Sequence, residues 1–357
     1  MEALRRFLLA LVVLLFFGLL TMAAGLVWLT QPVVPALAPS VGPVNKQPAS
    51  VEVAIKPGTS ARAIGLVLKD HGVEVTPEGF ARTARLLGLH DQLQAGVYGF
   101  PQGSSIWQVL TILSRGQELQ ESVTLLEGWT FSQILTALHS HPQIKKTLTG
   151  DAQAVSRALA QEMNLPFRSV EGWIFPDTYL FRRGQTDHDL LTRAIRLQKE
   201  MLAEAWAKRS ARSALTSPEQ ALVLASIIEK ETQAAEDRAR VAAVLQNRLR
   251  IGMRLQSDPT TIYGLGSAFD GNLRRKDLSH PSPYNTYQHK GLPPGPIASP
   301  GRLALVAALQ PAETSALYFV ARGNGRSYFS HDLKQHNWAV NYFQRGIGQP
   351  PPAERSL

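Results

Sequence analysis

Glu229 and Glu231 close a long apolar run, and they are the residues whose type and setting best suit acid–base chemistry. The run opens with Ser217-Pro218-Glu219, a capping residue, a proline for the first helical position and an acid for the first turn. Ala221 to Ile228 follow, apolar almost all round, which predicts a buried helix. Carboxylates two residues apart on a helix point about 200° from each other, so only one can serve a given site. Glu231 extends the stripe Leu224, Ile227, Ile228, whereas Glu229 extends Leu222, Ala225, Ser226. The first stripe is bulkier and has no polar member, so a carboxylate at its end is the more desolvated, and desolvation favours the protonated form. A neutral glutamic acid at physiological pH can protonate a glycosidic oxygen, as the acid carboxyl of lysozyme does. The plain alternative is an exposed helix end in which Glu229, Lys230 and Glu231 only meet water.

Downstream, residues 236–250 predict a second helix with Val241, Val244, Leu245 and Leu249 on one face. A loop and short helix over 252–264 follow. Residues 280–300 then form a long irregular stretch with six prolines, two glycines, Tyr284 and Tyr287. Such rigid loops present side chains: aromatic rings stack on sugar faces, and Asn, Gln and Thr bond hydroxyls. The alternative is a surface loop fixed by proline. No G-x-S-x-G elbow, S-x-x-K or phosphate-binding glycine loop occurs, and nine histidines include no H-E-x-x-H.

These segments need a scaffold and a location. The 357 residues are enough for an anchor and two or three modules. There is no cysteine, which removes disulfides and thiolate zinc sites. With 37 Lys+Arg against 28 Asp+Glu the net charge is +9, which favours polyanions or anionic lipid surfaces, but the basic residues are scattered and no nucleic-acid motif accompanies them. Residues 7–29 carry no charge; as a helix they are ~35 Å long, enough to span the ~30 Å hydrocarbon core. Arg5 and Arg6 precede the stretch and only Lys46 follows within residues 31–50. The positive-inside bias therefore places residues 1–6 in the cytoplasm and the remainder outside an inner membrane. A cleaved signal peptide is the rival reading, although its apolar region is usually shorter. Residues 30–50, with five prolines, predict a semi-extended spacer.

One pattern then recurs three times: Gly58-Thr-Ser60, Gly103-Ser-Ser105 and Gly128-Trp-Thr130, each followed by aliphatic residues four and eight positions after the Ser/Thr. Glycine suits a turn, the hydroxyl caps a helix, and the i,i+4 apolar pair faces a core. Alternating strands over 51–55 and 121–125 precede the first and third copies. The first two copies resemble a LysM-like subdomain. The expected class is α+β, with a short hairpin around Gly323-Asn324-Gly325 near Val320 and Tyr328-Phe329.

Several long motifs resemble the YceG-like family over about residues 50–345: Glu171-Gly-Trp-Ile-Phe-Pro176-Asp-Thr-Tyr, Ala225 to Thr232, Val244 to Gly264, Tyr284-Asn-Thr-Tyr287 and Gly291-Leu-Pro-Pro-Gly-Pro-Ile. The resemblance implies a lytic transglycosylase that cuts the β-1,4 bond between N-acetylmuramic acid and N-acetylglucosamine within peptidoglycan strands and leaves 1,6-anhydro ends. It implies Glu231 as the catalytic residue and association with peptidoglycan synthases such as penicillin-binding proteins; no cofactor, metal or nucleic acid is expected. Gln256, Asp258, Tyr284, Asn285, Thr286 and Tyr287 are the expected groove residues. Ser257 departs from the familiar pattern, as does 271–276, and neither is expected to belong to the catalytic motif. The expected division is a span over 7–29, a LysM-like subdomain over 51–125, a catalytic domain over 126–347 and a disordered tail over 348–357. Competing readings are a lysozyme-type hydrolase and a non-catalytic glycan-binding scaffold.

Overall fold

The computed structural model describes residues 2–35 and 50–352. Residues 36–49 of the expected spacer and 353–357 of the expected tail lie outside the described residues. The chain divides into two compact units, Met1–Glu121 and Ser122–Leu357.

In the first unit, α1 (Glu2–Thr30) contains the apolar segment Phe7–Thr30, of mean hydropathy 2.8, with its side chains exposed along almost its whole length. By length and composition it can cross a membrane. β1 (Ser50–Ile55), α2 (Ala61–Asp70), α3 (Pro77–Leu86), β2 (Gly96–Pro101) and α4 (Ile106–Ser114) complete the unit. β1 and β2 pair antiparallel, Val53 opposite Tyr98 and Val51 opposite Phe100. Val51, Val53 and Ile55 point inward while Glu52 and Ala54 face solvent, the alternation of a half-buried strand. Ile64, Leu68, Phe80, Tyr98, Leu110 and Leu113 fill the core beneath.

The beginning of the expected spacer is packed rather than extended. Val34 is buried in this core, and Val33 and Val34 donate backbone bonds to Ser104 O at 2.8 and 3.1 Å. Two aliphatic side chains and free backbone groups find partners here that a proline count does not reveal.

In the second unit, β3 (Gln120–Thr124), α5 (Phe131–Ser140), α6 (Ala152–Glu162), β4 (Thr178–Arg182) and the start of α7 (Asp187–Ala207) enclose one core, with β3 paired to β4. The remainder of α7 packs on α8 (Pro218–Glu231), followed by α9 (Ala235–Arg250), α10 (Asp258–Leu265) and α11 (Arg302–Leu309), around a second core. β5 (Tyr318–Ala321) and β6 (Ser327–Ser330) form the antiparallel hairpin, and α12 (Leu333–Arg345) lies against it. The fold is α+β, with small two-stranded sheets among the helices.

The three glycine–hydroxyl copies each start a helix. Gly58, Gly103 and Gly128 have φ of +77°, +74° and +74°, where a Cβ would be strained. Ser60, Ser105 and Thr130 cap α2, α4 and α5, and Gln108 and Gln133 complete capping boxes. At the other end of the chain, Trp338 Nε1 donates to Gln349 O at 2.8 Å and Tyr328 Oη to Pro352 O at 2.9 Å. The tail is therefore tied to the hairpin and α12 at least as far as Pro352.

Candidate functional site

α8 is the buried helix that its sequence requires: every residue from Ala221 to Glu229 is buried. Ser217 caps it, and Thr232 ends it by turning to extended backbone. Both carboxyls at its end feel this burial, so desolvation alone does not tell them apart. Their partners do. Glu229 accepts from Arg238 Nη2 at 3.2 Å and from the backbone N of Gly301, the residue preceding α11, at 2.9 Å. Both its oxygens are engaged within the protein, and its role is to tie α8 to α9 and α11.

Glu231 keeps partial solvent access, and Oε1 accepts one bond, from Ser257 Oγ at 2.6 Å. Its pKa is pushed up to about 7, chiefly by burial. The bond from Ser257 and the charge of Arg248 pull it down, while the charge of Asp258 adds to the rise. The C-terminal end of α8, where carbonyl dipoles point outward, also disfavours a negative charge. Near neutral pH the group therefore exists in both forms, as a group that must first give and then take a proton requires.

Ser257 stands at the position that would cap α10, yet makes no cap. Its hydroxyl is spent on Glu231 instead. Its backbone N donates to Thr286 Oγ1 at 3.0 Å. Gln256, just before it, adopts φ +49°, a costly conformation for a residue with a Cβ, and its N donates to Thr286 O. This reversal delivers Ser257 to the carboxyl. Ser257 thus belongs to the site, contrary to expectation. Its neighbourhood in sequence carries no hint of this, because the contact spans 26 residues of chain.

Of the six expected groove residues, Gln256 and Asp258 are exposed and Tyr284 and Tyr287 half-buried. Tyr287 Oη donates to Asp258 Oδ1 at 2.6 Å. Tyr284 packs its ring on Tyr263, centroids 4.8 Å apart. Asn285 and Thr286 are buried instead. Asn285 accepts from Thr261 Oγ1 and Tyr287 N, and donates to Leu278 O and His280 O. With all four bonds made, its amide has nothing left for a sugar. Thr286 Oγ1 serves Ser257 N and shares a bond with Thr260. These two residues pin the 280–287 loop to α10, and the loop's exposed side chains follow from that anchorage.

Two further groups come from distant sequence. Arg248 is buried; its Nε donates to Leu317 O and its Nη1 to Leu255 O, which leaves its charge to act on Glu231. Glu171 is a second carboxyl raised to about 7 by burial. It accepts from Phe131 N at 2.9 Å and Tyr263 Oη at 3.2 Å, and is itself buried, so it steadies Tyr263 beneath Tyr284. Partial access and a single donor single out Glu231. A hollow of about 590 Å³ bordered by Arg212, Asn247, Arg250 and Glu313 shares none of these residues. Volume does not locate the chemistry here.

Replacing Ser257 with Ala removes the bond that favours the Glu231 carboxylate. The Glu231 pKa then moves further up, and the alkaline limb of the pH–rate profile moves with it. Looser aim of the carboxyl should lower turnover by about tenfold, a fraction of the roughly 10²–10⁴-fold that general acid–base catalysis contributes. Steady-state rates across pH with wild type and Ser257→Ala check both shifts.

The chain matches the model of the YceG-like family over residues 53–342. A Bacillus subtilis protein named endolytic murein transglycosylase is 34% identical over 316 residues, which are 83% of this chain and 86% of that protein. A Streptococcus pneumoniae protein of the same name is 28% identical over 80% of this chain and 57% of its own length. The crystal structure of a putative yceG-like protein from Listeria monocytogenes superposes with a TM-score of 0.51 at 30% identity, covering 82% of this chain and 99% of that one. The site on Glu231 lies within the matched region, and the chain belongs to the YceG-like family.

Proposed function

We propose that this chain is an endolytic lytic transglycosylase of peptidoglycan, with Glu231 as its single acid and base. The observation that carries the reading is the Glu231 carboxyl: mostly buried with partial solvent access, raised to about 7 by burial, and held by one hydroxyl, in a chain 34% identical to a protein named endolytic murein transglycosylase. Protonated Glu231 donates its proton to the β-1,4 glycosidic oxygen as the bond to C1 of N-acetylmuramic acid breaks. The resulting carboxylate takes the proton of that sugar's C6 hydroxyl, whose oxygen closes on C1 to give the 1,6-anhydro ring. Atoms balance without water. Paired-carboxylate glycosidases need their second acid to activate water or to form a covalent link; an intramolecular hydroxyl has a high effective concentration and needs neither. Arg248 lowers the cost of the carboxylate stage. Tyr284, Tyr287, Asp258 and Gln256 border the glycan path.

The apolar α1 anchors the chain in an inner membrane with residues 1–6 cytoplasmic and everything after α1 outside. Residues 51–125 act as a LysM-like glycan-binding subdomain, and residues 126–347 are the catalytic domain. Nascent strands are the substrate, and peptidoglycan synthases are the protein partners. Purified uncrosslinked glycan strands test the endolytic reading. Internal cuts giving a spread of anhydro-ended fragments support it; release of terminal disaccharides alone contradicts it.

A further inference from the structure

Two tryptophans in the first unit are exposed without an evident reason within the protein. Trp28, in the last turn of α1, is 51% exposed, and Trp107, in the first turn of α4, is 47% exposed. The two elements pack together. Leu29, still inside the apolar segment, packs against the core formed by α2, α3, α4 and the β1–β2 pair. Four and five residues later the chain is fully committed to that core: Val34 is buried, Ser104 O receives Val33 N and Val34 N, Val34 O receives Gly103 N, and Val33 O receives Glu74 N.

Distances then limit how far from the bilayer the turn before α4 can lie. Ser104 is bonded three and four residues past Thr30, at most ~14 Å of extended chain. The polar headgroup layer adds ~5–8 Å on each side of the hydrocarbon core. An α1 of apolar length ~36 Å already passes that core by a few ångströms. The link alone could clear the headgroup layer by no more than about 10 Å, and the packing of Leu29 on the core and of α1 on α4 holds the unit closer than that. Beside Trp107 opens a shallow hollow of about 310 Å³ bordered by Gln102, Ser104, Gln108 and Thr111. An aromatic body with a polar surround is what the membrane–water interface selects.

We propose that the Trp107 face of the first unit rests in the phospholipid headgroup layer, so that Trp28 and Trp107 form one interfacial belt. The unit is then seated on the bilayer by its own anchor and is not tethered at the end of a spacer. The proposal rests on reading α1 as a membrane span, and its test keeps the two apart. The chain has no cysteine, so single cysteines introduced for spin labels are unambiguous. Leu15→Cys reports on the span. Thr111→Cys reports on the proposed face with Trp107 intact. Asp91→Cys is the control: it lies in the loop whose Gln94 N bonds Leu113 O, at the opposite end of α4.

Full-length protein in nanodiscs of phosphatidylethanolamine and phosphatidylglycerol is scanned for label accessibility to oxygen and to a soluble nickel chelate. The expected order is deep for position 15, interfacial for 111 and aqueous for 91, with an oxygen-to-nickel ratio several-fold higher at 111 than at 91. Adding Trp107→Ser should lower the ratio at 111. A deep label at 15 with an aqueous label at 111 overturns the proposal and leaves the anchor standing. An aqueous label at 15 overturns both. Immobilisation at 111 only on addition of N-acetylglucosamine oligomers makes the face a glycan site and overturns the proposal as well.

Discussion

Glu231→Gln should reduce strand cleavage by roughly 10³-fold or more, the upper part of what general acid–base catalysis contributes, while making the protein more stable above neutral pH. The amide has the shape of the carboxyl and can still accept the Ser257 hydroxyl, so the site keeps its geometry. It has no proton to give. The stability effect has a definite sign. Between 4.5 and about 7 the folded protein binds a proton at Glu231 that the unfolded chain has released, so stability falls as pH rises through this window. The neutral amide escapes that fall. The variant should gain up to roughly 3 kcal/mol above pH 7, from a displacement of this size at 1.36 kcal/mol per pH unit. The gain should disappear near pH 4.5. Urea unfolding at several pH values, beside glycan digestion at each, reads both effects. Loss of activity accompanied by loss of stability at pH 8 would contradict the account.

Arg238→Ala should do the reverse, with its first effect on folding. Arg238 and Glu229 are both buried, 3.2 Å apart, and Glu229 also holds the backbone N of Gly301 ahead of α11. Removing the cation leaves a buried carboxyl facing one amide. Breaking a buried pair from one side costs about 3 kcal/mol or more. Glu229 is already raised by burial, and the cation is one of the groups restraining the rise, so its loss pushes the pKa higher still. The penalty should therefore be largest at neutral and alkaline pH and shrink as acid neutralises the orphaned group. Replacing Glu229 with Gln in the same chain should recover part of the loss, with a coupling visible in a double-mutant cycle. Neighbouring glutamates on one helix end should thus separate experimentally: substitution at 231 is expected to act on turnover and substitution at 229 on the fold.

Local features were legible in the sequence. Ser217 and Pro218 announce the start of α8, the three glycine–hydroxyl copies announce α2, α4 and α5, and Gly323-Asn324-Gly325 announces the β5–β6 hairpin. The stripe that favoured Glu231 over Glu229 rested on desolvation, but the structure buries both stripes and distinguishes the two carboxyls by their partners. Those partners lie up to 72 residues away and leave no periodic trace. The same holds for Ser257, whose cap-like position concealed a bond to another helix, and for Glu171, whose link to Tyr263 spans 92 residues. Asn285 and Thr286 showed the converse: polar residues in a proline-rich loop read as ligands for sugar hydroxyls, yet nearby carbonyls consume Asn285, and Ser257 and Thr260 consume Thr286. Composition marked residues 30–50 as spacer, whereas Val33 and Val34 are held by backbone pairing that composition does not encode.

The lone-carboxylate account makes a claim about water that one measurement reaches directly. Peptidoglycan glycan strands digested in ¹⁸O-enriched water and analysed at once by mass spectrometry should yield muramic ends that are one water lighter than hydrolysed ends and free of the heavy isotope, and Glu231→Gln should yield none of them. Reducing ends carrying ¹⁸O would show that a water molecule attacks C1, and would contradict the account.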